Sequence, residues 1–232
     1  MDNRSDIWRG VDEIKTRFID LSDRVWAMPE VCYTEARSAA EHLSELRHQG
    51  FRITENVAGI PTALMGEWGE GGPVIAFLGE YDALPGLSQE AGVAEHRPVE
   101  TGGHGHGCGH NLLGSAALLA ATAVKDWLAA NKVPGRVRYY GCPAEEGGAA
   151  KAFMVRSGAF ADADIAITWH PSSFWEVVLT PSLANTRADF IFTGRTSHAA
   201  ASPHLGRSAL DAVELMNVGV NYMREHMPSD AR

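Results

Sequence analysis

Apolar residues Ile7, Ile14, Phe18, Leu21, Val25 and Met28 recur at helical spacing, with charges between them, until Pro29. That period predicts an amphipathic N-terminal helix which ends where proline stops the pattern. A second helix is predicted through "TEARSAAEHLSELRHQ" and closes at Gly50, a residue that takes positive φ at a helix end without steric cost. "FRITEN" and "TALMGEW" then read as short strands. "PVIAFLGEYDALPG" starts as a continuous apolar run, as a strand covered on both faces does, then turns polar and breaks at Pro85-Gly86. The design recurs in "GRVRYYGCPAEEGG" and in "ADADIAITWHP", with helical segments over 111–130 and about 147–157 between the strands.

Strands alternating with helices predict a largely parallel sheet covered on both faces, an α/β fold that binds ligands outside the carboxyl ends of its strands. Asp82, Glu145, Glu146 and His170 fall at those ends, which groups them with Cys108 and His110 of "GHGHGCGHNLLG". From Ala184 the texture changes. "ANTRADFIFTG" alternates like a half-buried strand, "RTSHAAASPHLGRS" is a loop, and "ALDAVELMNVGVNYMREHM" is an amphipathic helix. This predicts one domain over 1–183 and the start of a second over 184–232.

With 232 residues and 45% hydrophobic positions, the chain can bury one large core, or one core and a smaller piece. Its net charge of -9 argues against nucleic acid or an anionic membrane as the main partner, since both attract surplus Lys and Arg. Cys32, Cys108 and Cys142 are too few and scattered for a disulfide scaffold, so a cytoplasmic location is expected. "MDNRSDIWRG" has no apolar stretch of the kind a signal peptide needs. The apolar run from Asn111 to Val124 stops at Lys125, short for a membrane span, and reads as a buried helix.

In an extended segment residues two apart project the same way, so Cys108 and His110 could share one metal ion, with Gly107 and Gly109 keeping its approach clear. Thiolate and imidazole suit zinc, or another first-row metal in carboxylate company. A helix starting near Asn111 would also favour Cys108 as thiolate. Standing alone, the pair is a weak signal that a flexible glycine loop explains more readily. Glu145 and Glu146 point different ways, so one could bind metal while the other works on a water; the plain alternative is two surface charges. His170 could be a ligand or a satisfied core histidine, and Asp82 could orient a ligand or serve the turn before Pro85. His104 and His106 share the alternation but fit incidental loop residues and are set aside. His198 could donate to a reacting carbonyl or cap its own loop beside Ser197. A serine-hydrolase site is not expected, because no G-x-S-x-G elbow occurs.

Taken in order, "GEYDALP", "HGCGHN", "PAEEGG", "ITWHP" and "FTGRTSHAAASPHLGRSALDAVE" closely resemble the amidohydrolase branch of the aminoacylase and carboxypeptidase metallopeptidase family. The resemblance implies a three-layer α/β/α zinc-peptidase-like catalytic domain followed by the beginning of an α+β lid, or dimerisation, domain. It implies two divalent metal ions, zinc or manganese, held by Cys108, His110, Glu146 and His170. Glu145 would be the general base that also protonates the leaving amine, and His198 the lid histidine that reaches into a partner's site. Substrates would be N-acyl amino acids, aminobenzoyl-glutamate or dipeptides. The assembly would be a homodimer, or would include a second hydrolase subunit.

Two departures from the pattern shape the expectation. Better-known branches carry His two residues before the Asp of "DALP", whereas this chain has Glu80, which implies the cysteine-containing type of centre. Family members also continue past the lid to supply another histidine ligand, while this sequence ends at Arg232. A truncated or fragmentary member with little activity of its own is therefore one expected alternative. A non-catalytic protein in which Cys108, His110 and His170 hold one structural metal is another.

Overall fold

The N-terminal amphipathic pattern forms α1 (Asn3–Trp26) in the computed structural model, which describes residues 3–179, 181 and 183–231. Its stripe buries Phe18, Leu21 and Val25. The second helix, α2 (Ala36–His48), is capped from outside itself: Glu30 accepts from the N–H groups of Arg37 (3.2 Å) and Ser38 (2.9 Å). At its other end Gly50 takes φ +76° and Phe51 N–H reaches back to Leu46 O at 3.0 Å, the closure expected of a glycine there.

The strands are β1 (Arg52–Glu55), β2 (Leu64–Glu70), β3 (Val74–Gly79), β4 (Gly135–Gly141) and β5 (Ile165–Ile167). Helix α3 (His110–Asn131) joins β3 to β4, and the single turn α4 (Glu145–Gly148) with α5 (Ala150–Arg156) joins β4 to β5. In space the order is β1-β2-β4-β3-β5. Only the β3/β4 and β3/β5 pairs are parallel; β1/β2 and β2/β4 are antiparallel. The sheet is thus mixed, and the expectation of a largely parallel sheet fails at this edge for a steric reason. The connections 56–63 and 71–73 are too short for a helical crossover, so the chain reverses at each.

Alternation along the strands separates two cores. Leu64, Phe77, Val137 and Tyr139 face α1, α2 and α3, while Ala76 and Tyr140 face Ala150 and Met154 of α5. These are the layers of an α/β/α architecture. Helix α3 is long and apolar enough to cross a membrane by length and composition, exceeding the shorter run read from the sequence. Half of its most apolar window is instead buried within the fold, where Leu113, Ala117, Leu118 and Ala121 pack into the core. The strand β5 is exposed along its length, unlike the buried strand its apolar sequence predicts, because it lies at the sheet edge with β3 as its neighbour.

His42 of α2 is fully buried between Tyr81 and Tyr139, and its Nδ1 donates to Ser38 O at 3.0 Å. Burial pushes this imidazole down to about 4. The unfolded chain takes up the proton near its ordinary value while the folded one refuses it, so stability present above the ordinary histidine range declines as pH falls toward 4. At about 1.4 kcal/mol per unit, the loss from this residue is roughly 3 kcal/mol. Urea denaturation across that window should show a shallower acid decline in His42→Gln than in the parent; an equal slope would assign the decline to other groups.

Contacts divide the chain into a first unit ending at Trp175 and a second beginning at Glu176; the sequence texture changes at Ala184. Within the second unit, α6 (Ala209–Met223) is capped by Ser208, whose Oγ accepts from Asp211 N–H at 3.1 Å. The strand predicted from "ANTRADFIFTG" does not form. Residues 184–194 carry no regular structure among the described residues, and the bridge Arg195–Arg207 is isolated. A strand needs a ladder partner as well as an alternating pattern, and no described neighbour supplies one.

Candidate metal centre

The parallel strands deliver the chemistry. Glu80 and Asp82 follow β3, Glu145 and Glu146 follow β4, His170 lies three residues after β5, and Cys108 with His110 stands at the start of α3. The ribbon is not the extended segment assumed from alternation. Gly109 takes φ +77° as the residue before the helix, and a Cβ there would meet Pro171 Cγ at 3.0 Å. The same turn brings Cys108 Sγ to 3.2 Å from His170 Nε2. Gly114 lets α3 approach β3, since a Cβ there would lie 2.3 Å from Glu80 O.

His110 is the centre of the arrangement and has no exposed surface. Its Nδ1 donates to Asp82 Oδ1 at 3.0 Å and lies 3.1 Å from Asp82 O, which leaves the Nε2 lone pair for another partner. Nε2 is buried without a hydrogen bond, although it lies 3.1 Å from Glu80 Oε2, 3.8 Å from Glu145 Oε2 and 3.9 Å from Glu146 Oε1. Glu146 Oε1 is likewise buried and unbonded. Two donor sets therefore share His110: Cys108, His110 and His170, and Glu80, His110 and Glu145, with the donor atoms of each within 4.8 Å of one another. Asp82 also accepts from Glu146 N–H through Oδ2 at 2.9 Å, so one carboxylate orients both the imidazole and the glutamate turn.

The electrostatics are those of a site short of positive charge. Burial pushes the His110 imidazole down, but Asp82, Glu80 and Glu146 outweigh it and raise the group overall. Burial and the neighbouring Glu80 carboxylate raise Glu145. Burial, then Glu146, Glu145 and Glu80, push the Cys108 thiol up to about 12. Burial and the three nearby carboxylates thus act against the partial positive charge of the helix start, which would favour a thiolate. Lys151 of α5 pairs with Glu80 and offsets part of the negative charge. Orphaned nitrogen and oxygen donors, a thiol and crowded carboxylates are a donor set that a divalent cation would satisfy.

The structure thus gathers Cys108, His110, Glu145, Glu146 and His170. His198 belongs to the second unit, where its Nδ1 accepts from Ala200 N–H (3.2 Å) and Ala201 N–H (3.0 Å), a loop-capping arrangement. Sequence reasoning did not name Glu80 or Lys151 as participants. The spacing of Glu80 and Asp82, two apart at a strand end, could have suggested a shared face; nothing local marks Lys151.

The model of Peptidase family M20/M25/M40 matches residues 76–229. The chain belongs to this family. Among curated M20 relatives, one p-aminobenzoyl-glutamate hydrolase subunit from Escherichia coli (strain K12) is 52% identical over 231 residues, covering 98% of this chain and 48% of the relative. The Xaa-Arg dipeptidase of Mus musculus is 34% identical, covering 94% of this chain and 49% of the relative. The chain therefore spans about half the length of these curated relatives. In fold it resembles a Bacillus subtilis dinuclear metal binding peptidase of the M20 family (TM-score 0.59, 22% identity, 69% of this chain and 44% of that one). It also resembles a Staphylococcus aureus aminohydrolase (TM-score 0.67, 18% identity, 98% of this chain and 59% of that one).

Proposed function

We propose that this M20 chain provides the metal centre of an amidohydrolase acting on N-acyl amino acids, aminobenzoyl-glutamate or dipeptides. The observation that carries the reading is His110, fully buried, with Nδ1 held by Asp82 and Nε2 unbonded among three carboxylates. Cys108, His110, Glu146 and His170 are the proposed holders of two divalent ions, zinc or manganese, with Glu146 supported by its buried, unbonded Oε1 3.9 Å from His110 Nε2, and Glu80 is a further donor beside His110. When bound, such ions supply Lewis-acid polarisation of an amide carbonyl and lower the pKa of water. Glu145, with its side chain 46% exposed and its carboxyl raised, is suited to take a proton from water and return it to the leaving amine nitrogen. Atoms balance as one water consumed, one C–N bond broken, and a carboxylic acid and an amine released.

Two different p-aminobenzoyl-glutamate hydrolase subunits of Escherichia coli (strain K12) resemble this chain, which supports pairing with a second hydrolase subunit; a homodimer is the other assembly we propose. His198 is the proposed contribution of the second unit to catalysis, as a hydrogen-bond donor to the substrate carbonyl. A reducing compartment, the cytoplasm, suits a centre that uses the Cys108 thiol.

The test is to load the chain with zinc or manganese, assay a panel of N-acyl amino acids, aminobenzoyl-glutamate and dipeptides, and repeat after chelation. Hydrolysis abolished by chelation and restored by metal is the expected result. A second reading rests on Cys108 Sγ and His170 Nε2 lying 3.2 Å apart beside His110: a single structural ion in a non-catalytic or truncated member. It predicts a folded, metal-loaded chain that hydrolyses nothing in the panel and has no exchangeable water on its metal.

A further inference from the structure

The link from α1 to α2 supplies no donor to the metal centre, yet it touches both carboxylate-bearing strand ends. The Glu30 carbonyl accepts from Ala83 N–H at 2.8 Å, beside Asp82. Glu35 is fully buried. Its Oε1 accepts from Ala144 N–H at 2.8 Å and from Tyr33 N–H at 2.9 Å, and its Oε2 accepts from the Thr62 hydroxyl at 3.0 Å. The Tyr33 hydroxyl donates to Gly148 O at 2.6 Å. The turn that carries Glu145 and Glu146 is therefore held at both ends from a segment 109 and 115 residues away.

The backbone at the first of these anchors is unusual. Ala144 has φ 54° and ψ 42°, the left-handed conformation that the Cβ of an L-residue disfavours. The acceptor that Glu35 offers its N–H offsets that cost at the head of the turn, and a relaxed Ala144 would redirect the glutamates that follow it. In the observed conformation Glu146 N–H meets Asp82 and both glutamates come within 4 Å of His110 Nε2. We infer that Glu35 is a positioning residue: by accepting the Ala144 N–H it holds Ala144 left-handed and so aims Glu145 and Glu146 at His110. The inference rests on the proposed role of Glu145.

The test uses the full 232-residue chain and three variants. In Glu35→Ala, kcat per folded, metal-loaded molecule should fall roughly 10- to 100-fold with KM nearly unchanged, the signature of a misplaced proton carrier. Glu35→Gln keeps an amide oxygen for the two N–H groups and should retain most of the rate. Adding Ala144→Gly to Glu35→Ala should recover much of the loss, because glycine adopts the left-handed conformation without an acceptor to hold it. Amide exchange, measured without metal, should accelerate at Ala144 and Glu146 in Glu35→Ala and stay slow in Glu35→Gln.

An unchanged kcat in Glu35→Ala, with only its melting temperature lowered, overturns the inference, as does a rate that Ala144→Gly leaves unrecovered. If the parent chain hydrolyses nothing, the reading of Glu145 fails separately and the clamp is judged by exchange alone. Unchanged protection in Glu35→Ala then overturns it, and loss of protection that Glu35→Gln prevents supports it.

Discussion

Glu145→Gln is expected to lower amide hydrolysis by a factor on the order of 10² to 10⁴, the range that one positioned general acid–base contributes. Metal content should remain near that of the parent. The asymmetry follows from geometry. Glu145 Oε2 is 3.8 Å from His110 Nε2 and its side chain is 46% exposed, so it reaches toward the solvent side of the cluster. The proposed metal holders Cys108, His110, Glu146 and His170 are all unchanged in this variant. Glutamine keeps the shape and removes the basic oxygen, and its amide cannot accept the proton from water or pass it on. Steady-state kinetics with metal analysis by mass spectrometry would check this. Full activity in the variant would remove Glu145 from the proton path, whereas equal losses of metal and rate would make it a ligand.

The second large effect is expected at His110, where metal binding should collapse. This residue belongs to both donor sets and is the only histidine of the described clusters with no exposed surface. In His110→Asn the Asp82 carboxylate loses the Nδ1 donor and Glu80, Glu145 and Glu146 lose the imidazole among them. Affinity for zinc should fall by more than the roughly 10- to 100-fold typical of losing an outer partner of a ligand. Competitive zinc titration with a chromophoric chelator reads this directly, without reference to activity. Retention of parental affinity would show that the cluster does not bind metal through His110.

Both predictions concern residues visible in the bare sequence. Hydrophobic periodicity is local: it locates strands and helices, and polar residues just beyond an apolar run are then marked as strand-end groups. Glu145, Glu146 and His170 were legible in that way, Cys108 and His110 through their alternate spacing in a glycine ribbon before an apolar helix, and family motifs in a fixed order joined the two groups. Less legible were features that depend on connection length or on distant partners. The sheet's antiparallel edge follows from two short reversals at 56–63 and 71–73. The missing strand at 184–194 follows from the lack of a described ladder partner, which an alternating pattern cannot report.

The sequence by itself determined the α/β class, the strand-end placement of Glu145, Glu146 and His170, and membership of a metallopeptidase family. Tertiary structure alone decided which polar groups meet. It put Lys151 against Glu80, gave Asp82 to both His110 and Glu146, raised the Cys108 thiol through burial and three nearby carboxylates, and gave the Ala144 N–H to Glu35. Burial patterns repeat every two or three to four residues and leave a trace in composition. A hydrogen bond between residues 109 apart leaves none.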